Sequence, residues 1–249
     1  MASTEHAATE IVSHCTTSDW DRIYASDELA LPSQSSAWTK AICVTGGYAI
    51  KRRKYIFQDQ TEAALCLFSK NGSISPFQIH RSPPAAWGFG GPISTRPLSS
   101  EHLRVILDDC AGLPGAAMQI RPNPLMANIW SEAAPGRGWT ALPRKAHVLD
   151  LQGDFDAVWN HRFLGKTRNY ARKAERLGIT VDSGSSADLV AEFDALFRMS
   201  ILRWAMKQNE FSWLASLRGH IRDPKKKFIE MTRLCSDVVR IMIARKDGK

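Results

Sequence analysis

Two short runs, Ala49–Phe57 and Ala63–Phe68, constrain this chain more than any other feature. Both are strand-like, and the turn-forming Gln58-Asp59-Gln60 separates them, so they predict an antiparallel hairpin. Asn71-Gly72 is a further turn signal, and Ile74–Ile79 reads as a third strand interrupted by Pro76. Helix signals surround this hairpin. Residues 1–16 form a loose tail or a short leading strand, and Trp20–Tyr24 begins a short helix. Ser35 or Ser36 caps a helix through Trp38, Ile42 and Cys43, ended by Gly46-Gly47. Ser99 or Ser100 caps another through Leu103, Ile106, Leu107 and Cys110, closed at Gly112. Ala116–Ile120 then reads as a buried strand and Leu125–Trp130 as a short helix. After Pro135-Gly136-Arg137-Gly138, a strand reaches Val148–Leu151. The sum is a mixed α/β (α+β) domain, with helices packed on a largely antiparallel sheet.

The 249 residues suffice for one large domain or two small ones, and 44% hydrophobic residues exclude a disordered or fibrous chain. A net charge of +8 points to an anionic partner: nucleic acid, a phosphate-rich substrate or a membrane surface. Cys15, Cys43, Cys66, Cys110 and Cys235 are scattered, without a CxxC pair, and read as buried thiols rather than zinc ligands or a disulfide framework. The opening MASTEHAATE lacks an apolar signal core, and no apolar run approaches the ~20 residues that span a bilayer. A cytoplasmic protein without a metal is the expectation. GxSxG, HExxH, P-loop and EF-hand patterns are absent, so hydrolase, zinc-protease and nucleotidase readings lack support. The Pro- and Gly-rich segment 80–97 contains WGFGGPIS, whose glycines either make turns or let the backbone approach a ligand.

From Asp154 to Val181 the chain reads DFDAVWNHRFLGKTRNYARKAERLGITV. At about 100° per residue, Trp159, Phe163, Tyr170, Ala174 and Leu177 form one apolar face. Arg168, Arg172 and Arg176 lie opposite, and Arg162, Lys166 and Lys173 form a second basic rail. Gly165 is a possible break, Gly178 a stop, and Ile179–Asp182 a strand. Ser185-x-x-Asp188 resembles a capping box before a helix with a core stripe of Leu189, Phe193, Leu196, Phe197, Ile201 and Trp204. Asp223-Pro224 opens another helix through Phe228, Ile229 and Leu234, and Val238–Ala244 is a strand. Asp247-Gly248 then signals a hairpin whose second strand does not follow before Lys249. This predicts an unpaired edge and a second domain cut short.

Five stretches in order resemble one family: QSSAWTK at 34–40, GFGGPIS at 88–94, MQIRPNP at 118–124, HVLDL at 147–151 and RNYARKAERLGITV at 168–181. The family is the FemAB-like aminoacyltransferases and the related cellulose-biosynthesis (CelD-like) acetyltransferases of the GNAT superfamily. The last stretch is the most specific. The resemblance implies tandem GNAT-like domains, with a tail at 1–17, a first domain at 18–145 and an incomplete second at 146–249. It also implies N-acyl transfer to an amine of an anionic acceptor such as a cell-envelope precursor. The donor would be acyl-CoA or an aminoacyl-tRNA, with no permanently bound cofactor. Carried over from the matching stretches, Trp38, Lys40, Arg168 and Arg172 become substrate-binding candidates. Guanidinium groups suit phosphate oxygens through bidentate, charge-assisted contacts. The competing reading of each arginine is a solvated helix face, which weighs more on Lys173 and Arg176; Trp38 is equally a core aromatic. The family's pyrophosphate loop is absent from the chain. No catalytic base can be chosen, and His147 and His161 read as ordinary histidines. Two alternatives stand beside the transferase: a non-catalytic nucleic-acid-binding module, or a scaffold, using the basic helix 162–176.

Overall fold

In strand β3 (Glu62–Lys70), every residue from Ala63 to Phe68 is buried. A strand covered on both faces demands a layer on each side, and the chain supplies both. Ala64, Cys66 and Phe68 face a core with Trp20, Ile23 and Ile42. Those partners come from α1 (Thr17–Ser26) and α2 (Ser36–Gly46). Ala63, Leu65 and Leu67 face a second core with Tyr55, Phe57 and Ile106, the last on α3 (Ser100–Ala111). The computed structural model describes residues 8–12, 14–136 and 138–247.

The six-stranded sheet runs β1–β2–β3–β4–β6, with the short β5 (Ile93–Ser94) pairing on β3. β1 (Ala8–Val12) is antiparallel to β2 (Tyr48–Phe57), so part of the expected tail belongs to the sheet. The predicted hairpin is present, with β2 and β3 paired from Tyr48↔Lys70 to Ile56↔Glu62. β4 (Ile79–Ser82) is antiparallel to β3, and β6 (Ala117–Ile120) is parallel to β4. Helix α4 (Ala127–Ala133) covers Leu103 and Leu107 of α3. The mixed, mostly antiparallel sheet flanked by helices is thus the architecture expected. One ionic staple pins α3 to β2. The Arg53 guanidinium donates to both oxygens of Asp109 at 2.5 Å, and the Tyr55 hydroxyl donates to the same carboxylate at 2.7 Å.

The C-terminal half holds a two-stranded antiparallel ribbon of β7 (Ile179–Gly184) and β8 (Ile241–Lys246). Between its strands come α7 (Ala187–Lys207), α8 (Ser212–Arg222) and α9 (Lys225–Leu234). Phe193 and Phe197 of α7 meet Phe228 of α9 edge-on, at centroid distances of 4.9 and 5.6 Å. Helix α9 also packs on α2, and Met231, Leu234 and Cys235 join the core of Trp20 and Ile42. At this junction Lys227 is buried. Its Nζ donates to the Ala86 carbonyl and, at 2.8 Å, to Asp223 Oδ1, and sits 4.5 Å over the Trp87 ring. Ala86 adopts φ 64°, an unfavourable left-handed conformation for alanine.

Several expectations fail for physical reasons. The third strand is not Ile74–Ile79 but Ile79–Ser82; residues 73–78 turn around Pro76, which has no amide hydrogen for a ladder, and Ile74 and Phe77 are exposed. β6 is half-exposed rather than buried, because it closes one edge of the sheet. No strand forms at Val148–Leu151: residues 140–156 are exposed and irregular up to Asp154. The cap of α7 is Ser186, one residue after the expected Ser185. In the predicted stripe of α7, Leu196 and Trp204 are exposed. Asp223 ends α8 instead of capping α9, and α8 itself has no counterpart in the sequence reading. The last strand begins at Ile241, not Val238. Asp247 turns with φ 51°, whereas Gly248 and Lys249 lie outside the described residues, as do residues 1–7, 13 and 137.

Burial opposes charge on Asp223, but Lys227 and Arg222 outweigh it and hold the carboxyl below its ordinary value. A carboxylate of this kind stabilises the fold above its unfolded pKa of ~4, and the contribution is lost as pH falls through the lower folded value. Lys227→Met breaks the buried pair and is expected to cost about 3 kcal/mol in urea unfolding, whereas the exposed control Lys226→Met stays within ~0.5 kcal/mol. Asp223→Asn should also flatten the loss of stability on acidification.

Candidate anion-binding helix

The basic stretch is not one continuous helix. The Asp154 carboxylate accepts from the Ala157 amide at 2.7 Å and starts the short α5 (Phe155–Ala157). A wide π-helical turn follows at Val158–Arg162. Phe155 stacks on Trp159 and Phe163 meets Trp159 edge-on, each pair 5.7 Å between centroids. Phe163 and Leu164 are extended, and a second helix, α6 (Gly165–Arg176), begins at Gly165. It ends at Gly178, whose φ of 69° suits a residue without a side chain.

Arg168 holds this break together. Its Nη1 donates to the carbonyls of Trp159, Asn160 and Phe163 at 2.9, 2.6 and 3.0 Å. These oxygens close the wide turn and would otherwise be orphaned. Arg162 is likewise engaged, donating to the Asp150 carbonyl at 2.6 Å. Lys166 lies 5.6 Å over the Tyr170 ring. Arg172, Lys173 and Arg176 differ from these. All three are exposed on α6 and make no ion pair among the described residues. The spacings of Arg172 and Lys173 to Arg176, four and three residues, place the three cations on neighbouring turns. Cations at a helix C-terminus interact favourably with its negative dipole end.

No residue of α6 is buried, and the expected apolar face is largely open: Tyr170 and Leu177 are exposed. The surface bordered by Asn169, Tyr170, Arg172, Lys173, Glu175 and Arg176 belongs to this one helix. It is an open patch for charge contact rather than an enclosed cavity for chemistry.

The other candidate pair serves the core in one member only. Trp38 is half-buried, and its indole N–H donates to the Trp87 carbonyl at 3.0 Å. Lys40, one turn away from the α2 cap, is exposed. No hydrogen bond, ion pair or ring contact joins Trp38 or Lys40 to Arg168 or Arg172 among the described residues. The GFGG loop packs on the protein's own backbone. Gly90 donates to the Arg121 carbonyl at 2.7 Å, and a Cβ there would meet Pro83 at 2.9 Å. Buried Gln34 donates to the Gly90 and Gly91 carbonyls at 3.4 and 3.3 Å.

Nucleophile chemistry finds little support. All five cysteines are free with raised pKa values, chiefly through burial, and Cys66 and Cys110 are pushed up to about 12. Such thiols are protonated at neutral pH. His147 and His161 are exposed. Among the described residues no group of three or more His, Cys, Asp or Glu could hold a metal ion, and no helix is long and apolar enough to cross a membrane. Sequence reasoning placed Arg168 and Arg172 together ahead of Arg176 and Lys173 and marked Gly165 as a break; the carbonyl bonds by which Arg168 spans that break are what residue spacing does not reveal. No family model and no curated protein matches the chain.

Arg168→Gln is expected to release the 154–176 segment. Chymotrypsin should then cleave at Trp159, Phe163 or Tyr170 several-fold faster, while the melting temperature of the main body stays unchanged, since surface changes away from the core cost within ~0.5 kcal/mol.

Proposed function

We propose that this chain grips the phosphate groups of an anionic acceptor on α6, as part of an N-acyltransferase of the FemAB-like, GNAT-type class. The acceptor carries an amine, as a cell-envelope precursor would, and the acyl or aminoacyl donor is acyl-CoA or aminoacyl-tRNA. The observation that carries the anion grip is the exposed set Arg172, Lys173 and Arg176 on one short helix, without an ion pair among the described residues. Their positions fall within the stretch that most resembles the family. A mixed sheet with helices on both faces, followed by a second α/β unit, is compatible with tandem domains.

The roles divide accordingly. Arg172 and Arg176 bind the acceptor by charge-assisted, bidentate contacts, with Lys173 adding a point charge. Arg168 positions them by fixing the start of α6 against the wide turn. Acyl transfer further needs an aligned donor, a deprotonated amine and donors for the oxyanion. The alternative, a nucleic-acid-binding module, draws on the same cations, because a convex, exposed helix also suits a phosphate backbone.

Titration with inorganic pyrophosphate tests the anion grip that both readings share. The native chain should bind it, and R172E/R176E should lose at least about tenfold in affinity, since each charged hydrogen bond is worth ~1.5–3 kcal/mol. Unchanged affinity in the double variant overturns the anion grip. A preference for single- or double-stranded nucleic acid that falls steeply with salt favours the alternative. Absence of transfer from acetyl-CoA or charged tRNA to any amine acceptor overturns the transferase assignment alone.

A further inference from the structure

Between the main sheet and the C-terminal helices the chain crosses an unsupported stretch. Residues 141–150 are all exposed and belong to no helix or strand. From 140 to 149 no backbone N–H or C=O makes a hydrogen bond among the described residues; the next bonds are those of Asp150 and Gln152. Leu142 and Val148 are 73% and 63% exposed, so side chains do not anchor the stretch either. In its middle stand Arg144 and Lys145, both exposed. The other adjacent Lys and Arg residues, at 51–54, 172–173, 225–227 and 245–246, all lie in helices or strands, whose hydrogen bonds must open before a protease can take the backbone.

A cut in this stretch severs no core. The clusters around Ile106 and Leu103 draw on residues up to Trp139, and those around Val190 and Ala215 on residues from Leu189 onward. One core is shared: Met231, Leu234, Cys235 and Val239 pack with Trp20, Ile42 and Trp87. The Lys227 ammonium joins the same two sides through the Ala86 carbonyl and the Trp87 ring. The halves are therefore held together by packing and one clasped charge, in addition to the peptide chain.

We propose that Arg144-Lys145 is a processing site for a trypsin-like, basic-specific endoprotease, and that the two products stay together as a nicked, two-chain protein. An extended peptide is recognised largely through its main-chain hydrogen-bonding groups, and exposed loops that leave those groups unengaged are where nicking concentrates. The arginine and lysine supply the cation that the specificity pocket of such an enzyme takes. Water adds across the Lys145–Ala146 amide, leaving a carboxylate on Lys145 and an ammonium on Ala146. The product 146–249 remains on 1–145 through the shared core and the Lys227 clasp. Its stretch 146–178, which bears Arg172, Lys173 and Arg176, is then continuous with the chain at its C-terminal end alone. The site lies outside α6 and does not depend on the acceptor proposed for that helix.

Limited trypsin digestion of the full chain, read by mass spectrometry, tests the inference. The first cut should fall after Arg144 or Lys145, and gel filtration should return 1–145 and 146–249 in one peak at the elution volume of the intact protein. R144Q/K145Q should slow the first cut about tenfold or more, with an unchanged unfolding curve, because cleavage at the other basic pairs waits on local opening. In the nicked protein Lys227→Met should lower the urea concentration at which the fragments separate, whereas Lys226→Met should leave it where it was. A first cut elsewhere, or an equal rate for R144Q/K145Q, overturns the site. Native fragments that separate on nicking without urea overturn the two-chain product, and an unchanged separation point in Lys227→Met overturns the clasp.

Discussion

The buried ammonium of Lys227 is the contact on which the arrangement of the chain depends. It satisfies the carbonyl of Ala86, the carboxylate of Asp223 and the face of Trp87 at once. A charge so enclosed is tolerated only when its partners are all in place. Those partners come from the loop after β4 and from the junction of α8 and α9, far apart in sequence. The ammonium therefore fixes where the C-terminal helices sit on the sheet. Apolar packing of Met231, Leu234 and Cys235 on the α1–α2 face reinforces the same placement. The strained backbone at Ala86 turns its carbonyl toward the ammonium, so a local cost is offset by a contact between halves.

Against this body the segment 140–178 is a contrast. It buries almost nothing, and its order comes from local devices: the Asp154 cap, a ladder of three aromatic rings and the Arg168 guanidinium. Rigid placement of Arg172, Lys173 and Arg176 thus rests on hydrogen bonds within the segment rather than on a core. A segment held this way presents cations outward at little desolvation cost, which suits a phosphate-bearing ligand better than a buried catalytic centre.

How much of this was legible in the sequence varies with the range of the interaction that decides it. The β2–β3 hairpin, the caps at Ser35 and Ser99 and the stops at Gly47 and Gly178 follow from residues within one or two turns. The strand expected at Val148–Leu151 has the right residues, but a strand exists only if another pairs with it. The break at Phe163–Leu164 falls beside Gly165, where the sequence marks an interruption, whereas the reach of Arg168 back to three carbonyls is concealed by helical periodicity. The helix α8 escaped notice because its inward face is made of Ala215 and Gly219, while the apolar residues that normally announce a core face outward. Of the four candidate binding residues, Arg172 and Lys40 are exposed, Arg168 is a positioning residue and Trp38 is hydrogen-bonded to the Trp87 carbonyl.

Hydrogen–deuterium exchange, resolved by helix and run with and without inorganic pyrophosphate, tests most directly the claim of one clasped body bearing a separate cationic arm. The amides of α9 should be as protected as those of β3, those of α6 should exchange fast, and pyrophosphate should slow exchange at α6 alone. Fast exchange in α9 together with α6, or protection by pyrophosphate elsewhere with none at α6, would contradict it.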